Sequence, residues 1–333
     1  MDKRLKLSIS IAVAFILLVI IWVSASGWQL FTHIVNYDHI SIEAVVADAE
    51  LAKKFHLVEK PVPKAYGFED YREINFNSLD KTPLSGWLVK SKVAAVTSCV
   101  IFAHGRAANR MMTLPFLSMA QDSSIFGSKT HYFLADLRMA GKAGKGNTSL
   151  GYNLAEDLAA SMLFLNKEFG TKNFMLYGFE AGAMAAVLTV SRKDLAKLLA
   201  ENRCKVEALI LDSPISNASE LMYRKSEEEI IFLQQSIFNV AKSLADIRTN
   251  NLFDEMRIGI LKNHDEIPVL VLQNLGDELT PTDMLLNELK QASNAEVHFF
   301  DGEKHSGMFF NPKYKRQYIE TLKDFTQKEG LVN

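Results

Sequence analysis

Three hydrophobic rhythms divide the chain. The first is an uncharged apolar run from Leu7 to Val23, preceded by Lys3, Arg4 and Lys6 and followed by Trp28. At ~1.5 Å per residue, Leu7 to Trp28 crosses a ~30 Å hydrocarbon core. The second is helical spacing over 41–55, with Ile42, Val45, Val46, Ala49 and Ala52 roughly on one side. Pro61-Val62-Pro63 ends that connecting helix and marks a boundary. The third begins at Tyr71, where short apolar runs alternate with longer amphipathic ones. It predicts strands over 72–77, 84–90, 98–103, 131–135, 174–177, 206–211, 268–272 and 297–300. Helices are predicted over 111–120, 152–169, 183–190, 220–245 and 313–325. In the helix over 152–169, Leu154, Leu158, Leu163 and Leu165 face the sheet, leaving Glu156 and Asp157 outward. Such alternation implies a mostly parallel sheet with helices on both faces, and the first two strands make an antiparallel edge.

In sheets of this kind the ligand crevice lies beyond the carboxyl ends of the strands. His104, Asp136, Glu180, Asp212, Asp277 and His305 each follow a predicted strand end, so one rim can gather all six. Gly178-Phe179-Glu180-Ala181-Gly182 has the outline of G-x-S-x-G, a strand turning sharply into a helix with one side chain lifted at the tip. The glycines belong where backbone and helix approach closely. The tip is Glu180 where that pattern has serine.

Composition changes this picture little. An apolar content of 48% in 333 residues builds one large core, and a formal charge of −2 gives no reason to expect nucleic acid. Of the two cysteines, Cys99 begins one predicted strand and Cys204 precedes another; without metal-ligand spacing they read as buried thiols. The basic flank and apolar run read as an uncleaved anchor with the flank cytoplasmic. A cleaved signal peptide is the alternative, with Val23-Ser24-Ala25 at the cleavage site. Either reading exports the remainder. Asn147-Thr148-Ser149 and Asn217-Ala218-Ser219 are glycosylation sequons, of consequence only in a eukaryotic secretory route.

Taken in order, His104-Gly105, Asp136-Leu137-Arg138 with its glycine loop, the elbow, Gly276-Asp277-Glu278-Leu279-Thr280-Pro281 and His305 resemble the α/β-hydrolase superfamily. The flavour is that of its membrane-anchored, serine-peptidase and esterase-like branch. The resemblance implies an α/β-hydrolase fold, a mostly parallel sheet flanked by helices, with a small helical cap and an N-terminal transmembrane helix. It divides the chain into an anchor over 1–28, a connecting segment over 29–66 and a hydrolase domain over 67–333 with a cap insertion over 214–266.

The resemblance also implies roles. Asp277 matches the triad acid and His305 the general base, while the backbone N–H groups of Arg106 and Ala181 match the oxyanion hole. His104 and Asp212 are expected to shape their loops, and Asp136 and Arg138 to pair with each other. Glu180 is the departure. A carboxylate is already ionised near neutral pH, and some relatives use an aspartate at the tip to attack an alkyl carbon. The implied ancestral reaction is hydrolysis of an ester, thioester or peptide-like acyl bond through Glu180, Asp277 and His305. The competing class is a degenerate pseudohydrolase that binds or scaffolds. Two carboxylates near His305 would favour its charged form. In the cap insertion, Leu221, Ile230, Ile231, Leu233, Ile237, Phe238, Val240 and Leu244 are the apolar members, and Glu227-Glu228-Glu229 reads as a solvated face. Met222, Phe232 and Phe238 are equally pocket lining or ordinary packing. No metal or organic cofactor is implied. The expected partners are membrane lipid and a small acyl or peptide-like ligand.

Overall fold

Each predicted strand is present, with ends displaced by two residues at most. The computed structural model describes residues 3–94, 96–227, 231–290, 292, 294–302 and 305–332. The strands are β1 (Tyr71–Asn77), β2 (Pro83–Val89), β3 (Ser98–Ala103), β4 (Thr130–Asp136), β5 (Asn173–Phe179), β6 (Lys205–Asp212), β7 (Val269–Asn274) and β8 (Ala295–Phe300). They form one eight-stranded sheet in the order β1-β2-β4-β3-β5-β6-β7-β8. β2 pairs antiparallel with both β1 and β4, and every other pairing is parallel. The central strands are apolar along most of their length because helices cover both faces.

The helices are α1 (Lys3–Val35), α2 (Ile42–Ala47), α3 (Ala49–Lys54), α4 (Arg110–Thr113), α5 (Ser123–Phe126), α6 (Tyr152–Phe169), α7 (Ala181–Ser191), α8 (Lys193–Glu201), α9 (Ala218–Ser226), α10 (Gln234–Arg248), α11 (Thr282–Leu289) and α12 (Lys315–Lys328). Several differ from expectation for local reasons. The helix expected over 111–120 is the single turn α4 followed by a 3-10 stretch, Leu114–Gln121, where Pro115 lacks an N–H. The helix expected over 220–245 is two helices, α9 and α10, with a 3-10 turn at Ile231–Leu233. Glu228, Glu229 and Ile230 lie outside the described residues. Helix α8, strongly amphipathic but short, and α11 were not anticipated.

Two core layers sandwich the sheet. One gathers α6, α7, the cap helices and the end of α1; the other gathers α4, α12 and the connecting segment, which buries Val45 and Phe55. The connecting segment is therefore packed into the domain. Helix α1 runs unbroken past Trp28, and Gly27, Leu30, Phe31, Ile34 and Val35 are buried. Fully burying one such side chain contributes roughly 1.5–3 kcal/mol, so the end of α1 is held firmly. Both cysteines are buried free thiols.

Candidate active site

The elbow forms because small residues let three pieces of backbone converge. A Cβ on Gly182 would lie 2.3 Å from the Ala103 carbonyl oxygen, and one on Gly178 would lie 2.5 Å from Ala183. At the tip, Glu180 has φ 50° and ψ −109°, a sparsely populated conformation held by β5 on one side and α7 on the other. Its backbone N–H donates to the Asp212 carbonyl, tying the turn to the end of β6.

The Glu180 carboxylate points into the loop after β3 and is 5% exposed. Its Oε2 accepts the Arg106 backbone N–H at 2.7 Å, and its Oε1 accepts the Arg106 Nε–H at 2.5 Å. One residue thus grips both oxygens. Gly105 makes room, since a Cβ there would sit 2.8 Å from Oε2. Burial alone favours the neutral acid, but the Arg106 guanidinium, the His305 charge and the two hydrogen bonds outweigh it and hold Glu180 below the usual carboxylate range. Ala181, the other expected amide, opens α7 and is fully buried.

Across the rim, His305 Nδ1–H donates to Asp277 Oδ2 at 2.8 Å. Asp277 also accepts the Leu279 and Thr280 N–H groups and the Thr280 hydroxyl, which orient its carboxylate. Burial works against charge on His305, yet the hydrogen bond to Asp277 and the fields of Glu180, Asp277 and Asp212 raise its pKa above the ordinary histidine value. Burial likewise opposes ionisation of Asp277, but His305 and the Thr280 hydrogen bonds lower its pKa. Each of the three groups thus has its charged form favoured by oppositely charged neighbours and by hydrogen bonds.

Below them, Asp212 accepts hydrogen bonds from the Tyr318 and Ser213 hydroxyls, and Tyr177 and Tyr318 share a further one. Ser213 accepts the Ser306 N–H, so this network holds the His305 loop. Burial pushes the Asp212 pKa to about 6.

No protein-family model and no curated protein matches the chain. Solved structures do. The Pyrococcus furiosus esterase Pf2001 aligns with a TM-score of 0.59 at 17% identity, over 82% of this chain and 97% of that one. The α/β-hydrolase GrgF from a Penicillium species gives 0.54 at 15%, over 78% and 99%. The haloalkane dehalogenase DatA from Agrobacterium tumefaciens gives 0.52 at 13%, over 79% and 99%. The chain has an α/β-hydrolase fold.

Within this α/β-hydrolase frame the six residues expected at the rim part company. Glu180, Asp277 and His305 come together with Arg106. His104 is fully buried: it accepts the Leu137 N–H at Nε2, so Nδ1 carries the proton toward the Gly105 carbonyl. Burial, opposed more weakly by the Gly105 hydrogen bond, lowers its pKa to about 4 and keeps it neutral. Asp136 and Arg138 do not pair. Asp136 binds Arg110 and the Lys142 N–H, while Arg138 forks onto Asp157 and reaches Asp80. Asp157 is accordingly 0% exposed rather than solvated. Sequence periodicity places a carboxylate on a helix face, but not the arginine that a distant loop brings over it. Among the described residues, no cluster of three His, Cys, Asp or Glu side chains could hold a metal.

A cavity of about 460 Å³ opens on Glu180 and His305. Its far wall is Glu50, Lys53, Lys54, Phe55 and His56, from the connecting segment, with Met112 and Phe310 adding apolar surface. The His56 ring stacks on Phe310 at 4.0 Å. Among the described residues, none of those lining this cavity comes from the cap insertion. Met222 and Phe238 are packed in the core, and Phe232 is 82% exposed. The cover over the site was missed because a short helix before a proline boundary looks like a linker.

Proposed function

We propose that this chain is a membrane-anchored protein of α/β-hydrolase fold whose acyl-transfer chemistry is blocked at its own elbow. Its rim cavity then serves as a binding pocket for a small acyl or peptide-like ligand. The observation that carries this reading is the double grip of Arg106 on Glu180. Serine-type acyl transfer needs a hydroxyl nucleophile, a neutral histidine to take its proton, and amide donors open to a developing oxyanion. Here the tip bears a carboxylate and His305 is biased toward its cation. The Arg106 N–H already serves Glu180. Two of these departures are Glu180 itself, and in the third, the bias of His305, its charge adds to the Asp277 hydrogen bond.

The retained His305–Asp277 hydrogen bond favours a second reading. A carboxylate released by Arg106 could attack an alkyl carbon and expel its leaving group as an anion, giving an ester. Loss of the Glu180 charge would lower the His305 pKa and favour its neutral form. Neutral His305 could take a proton from the water that hydrolyses that ester and restores the carboxylate. Esterase and dehalogenase names occur among the structural neighbours, so the frame suits either chemistry.

The test is turnover by the purified full chain of activated esters of several chain lengths and of alkyl halides. The blocked-site reading expects no rate above that of a His305→Ala control. Turnover abolished by Glu180→Gln, with a covalent adduct mapped to Glu180, overturns it in favour of the second reading.

The anchor rests on α1, whose apolar run is long enough to cross a bilayer. With Lys3, Arg4 and Lys6 on the cytoplasmic side, the domain is extracytoplasmic. Protease added outside intact cells is expected to reach residues after Asn36. A soluble mature protein beginning at Ser26 would defeat the anchor.

A further inference from the structure

No described residue of the cap insertion lines the site cavity; its helices pack on α1 instead. The contact between α1 and α10 is the most extensive between any two described helices. At Gly27 the two helices come close together, since an added Cβ would lie 2.6 Å from Val240 Cβ and 3.0 Å from the Ile237 carbonyl oxygen. Further along α1, Phe31 lies under the Arg248 guanidinium at 5.6 Å. The residue numbers rise together along both helices, so α10 runs in the same direction as α1. Its N-terminus therefore points toward the apolar run.

This direction fixes a level. Phe232 precedes Ile237 by five residues (237 − 232) in the 3-10 turn that opens α10. At ~1.5 Å per residue it lies roughly 8 Å nearer the membrane than Gly27, about level with Trp22. Trp22 falls within the last turn of the uncharged run that begins at Leu7. Val19 and Val23 on α1 are already partly covered, so the domain reaches down beside the apolar run itself. Phe232 is 82% exposed there. Between Ser226 and Ala241 the chain has no lysine or arginine, so attraction to anionic lipid has no part in the contact.

We infer that the turn at Ile231–Leu233 is a second membrane contact, with Phe232 inserted among the acyl chains of the leaflet that α1 leaves. This rests on the anchor reading of α1. The cap helix is then a buttress that fixes the tilt of the domain over the bilayer, and an aromatic ring among the acyl chains just beneath the headgroups is its foot.

The test uses the full chain in phosphatidylcholine vesicles, labelled with a polarity-sensitive fluorophore through Phe232→Cys, Ile247→Cys or Phe15→Cys. The native cysteines are buried. Ile247, 76% exposed at the opposite end of α10, is the aqueous control. The label at position 232 is expected to shift to the blue, lose emission to lipids bearing a nitroxide near the glycerol, and resist aqueous iodide. The label at position 247 should do the reverse. Iodide quenching at position 232 equal to that at 247 overturns the inference. Protection from iodide without nitroxide quenching also overturns it, since protein would then cover Phe232. A label at position 15 that escapes deep nitroxide lipids sinks the anchor itself. With position 15 deep and 232 aqueous, only the buttress falls.

Discussion

The two halves of the rim are held in different ways. On one side, Asp277 and His305 keep a short hydrogen bond, and the acid is oriented by two amides and a hydroxyl. On the other, the elbow carries a carboxylate that Arg106 holds from backbone and side chain. Neither half is damaged as structure. The lesson is electrostatic: an anion at the tip biases the histidine opposite toward its cation, the form that has no lone pair to offer as a base. It also occupies a donor that an oxyanion would need.

The comparison is sharpened most by converting one half into a match for the other. Glu180→Ser removes the anion, frees the Arg106 amide and returns His305 toward neutrality. Hydrolysis of activated aryl esters is expected to rise at least about a hundredfold over the wild type, the scale of general-base and oxyanion-hole effects. Adding His305→Ala should erase the gain, since the two groups act as a unit. A well-folded Glu180→Ser chain inert toward every ester length would show that more than the tip has been lost.

A smaller effect comes from breaking the Arg106–Glu180 half. Arg106→Ala leaves Glu180 buried without its cation. The Arg106 side chain is 23% exposed, so the loss should fall short of that for a fully buried pair, at about 1–3 kcal/mol. The midpoint of denaturant unfolding measures it. Pairing Arg106→Ala with Glu180→Gln should recover part of the loss, because the stranded charge is gone.

The smallest effects are in pH dependence. The folded pKa of His305 is raised, so its contribution to stability is fully present below its ordinary 6.5 and is lost as pH rises through the folded value. Glu180 and Asp277 have lowered values, so theirs is present above their ordinary 4.5 and 3.8 and is lost on acidification through the folded values. Asp212, raised from 3.8 to about 6, has the opposite sign from the other carboxylates: its contribution is present below 3.8 and is lost as pH rises through about 6. Glu180→Gln should lower the His305 pKa, followed by its ring proton shifts, and flatten the alkaline limb of stability.

Much of the fold was legible because its signals are local. Short apolar runs mark strands buried on both faces, and Gly178 and Gly182 mark a turn that larger side chains could not enter. The rim was legible in outline, since strand ends share one edge of a parallel sheet. What stayed hidden depends on pairs far apart in sequence. Nothing in 152–169 announces that Asp157 will meet Arg138, and nothing near Pro61 announces that Phe55 and His56 wall the cavity. The Arg106 grip was hidden for the same reason. Arg106 was expected for its amide, while its side chain became legible only once the loop after β3 was seen beside the elbow.

The most direct test of the blocked site is to observe the Arg106 N–H itself. In a ¹H–¹⁵N spectrum of the full chain, the Arg106 amide and its Nε–H should both lie downfield, as expected for hydrogen bonds to a carboxylate. Both should move upfield together as acid protonates Glu180, below its ordinary 4.5, and both should move upfield at neutral pH in Glu180→Gln. Arg106 resonances indifferent to Glu180→Gln would mean that the carboxylate does not occupy this donor, and the account of a site blocked by its own elbow would be wrong.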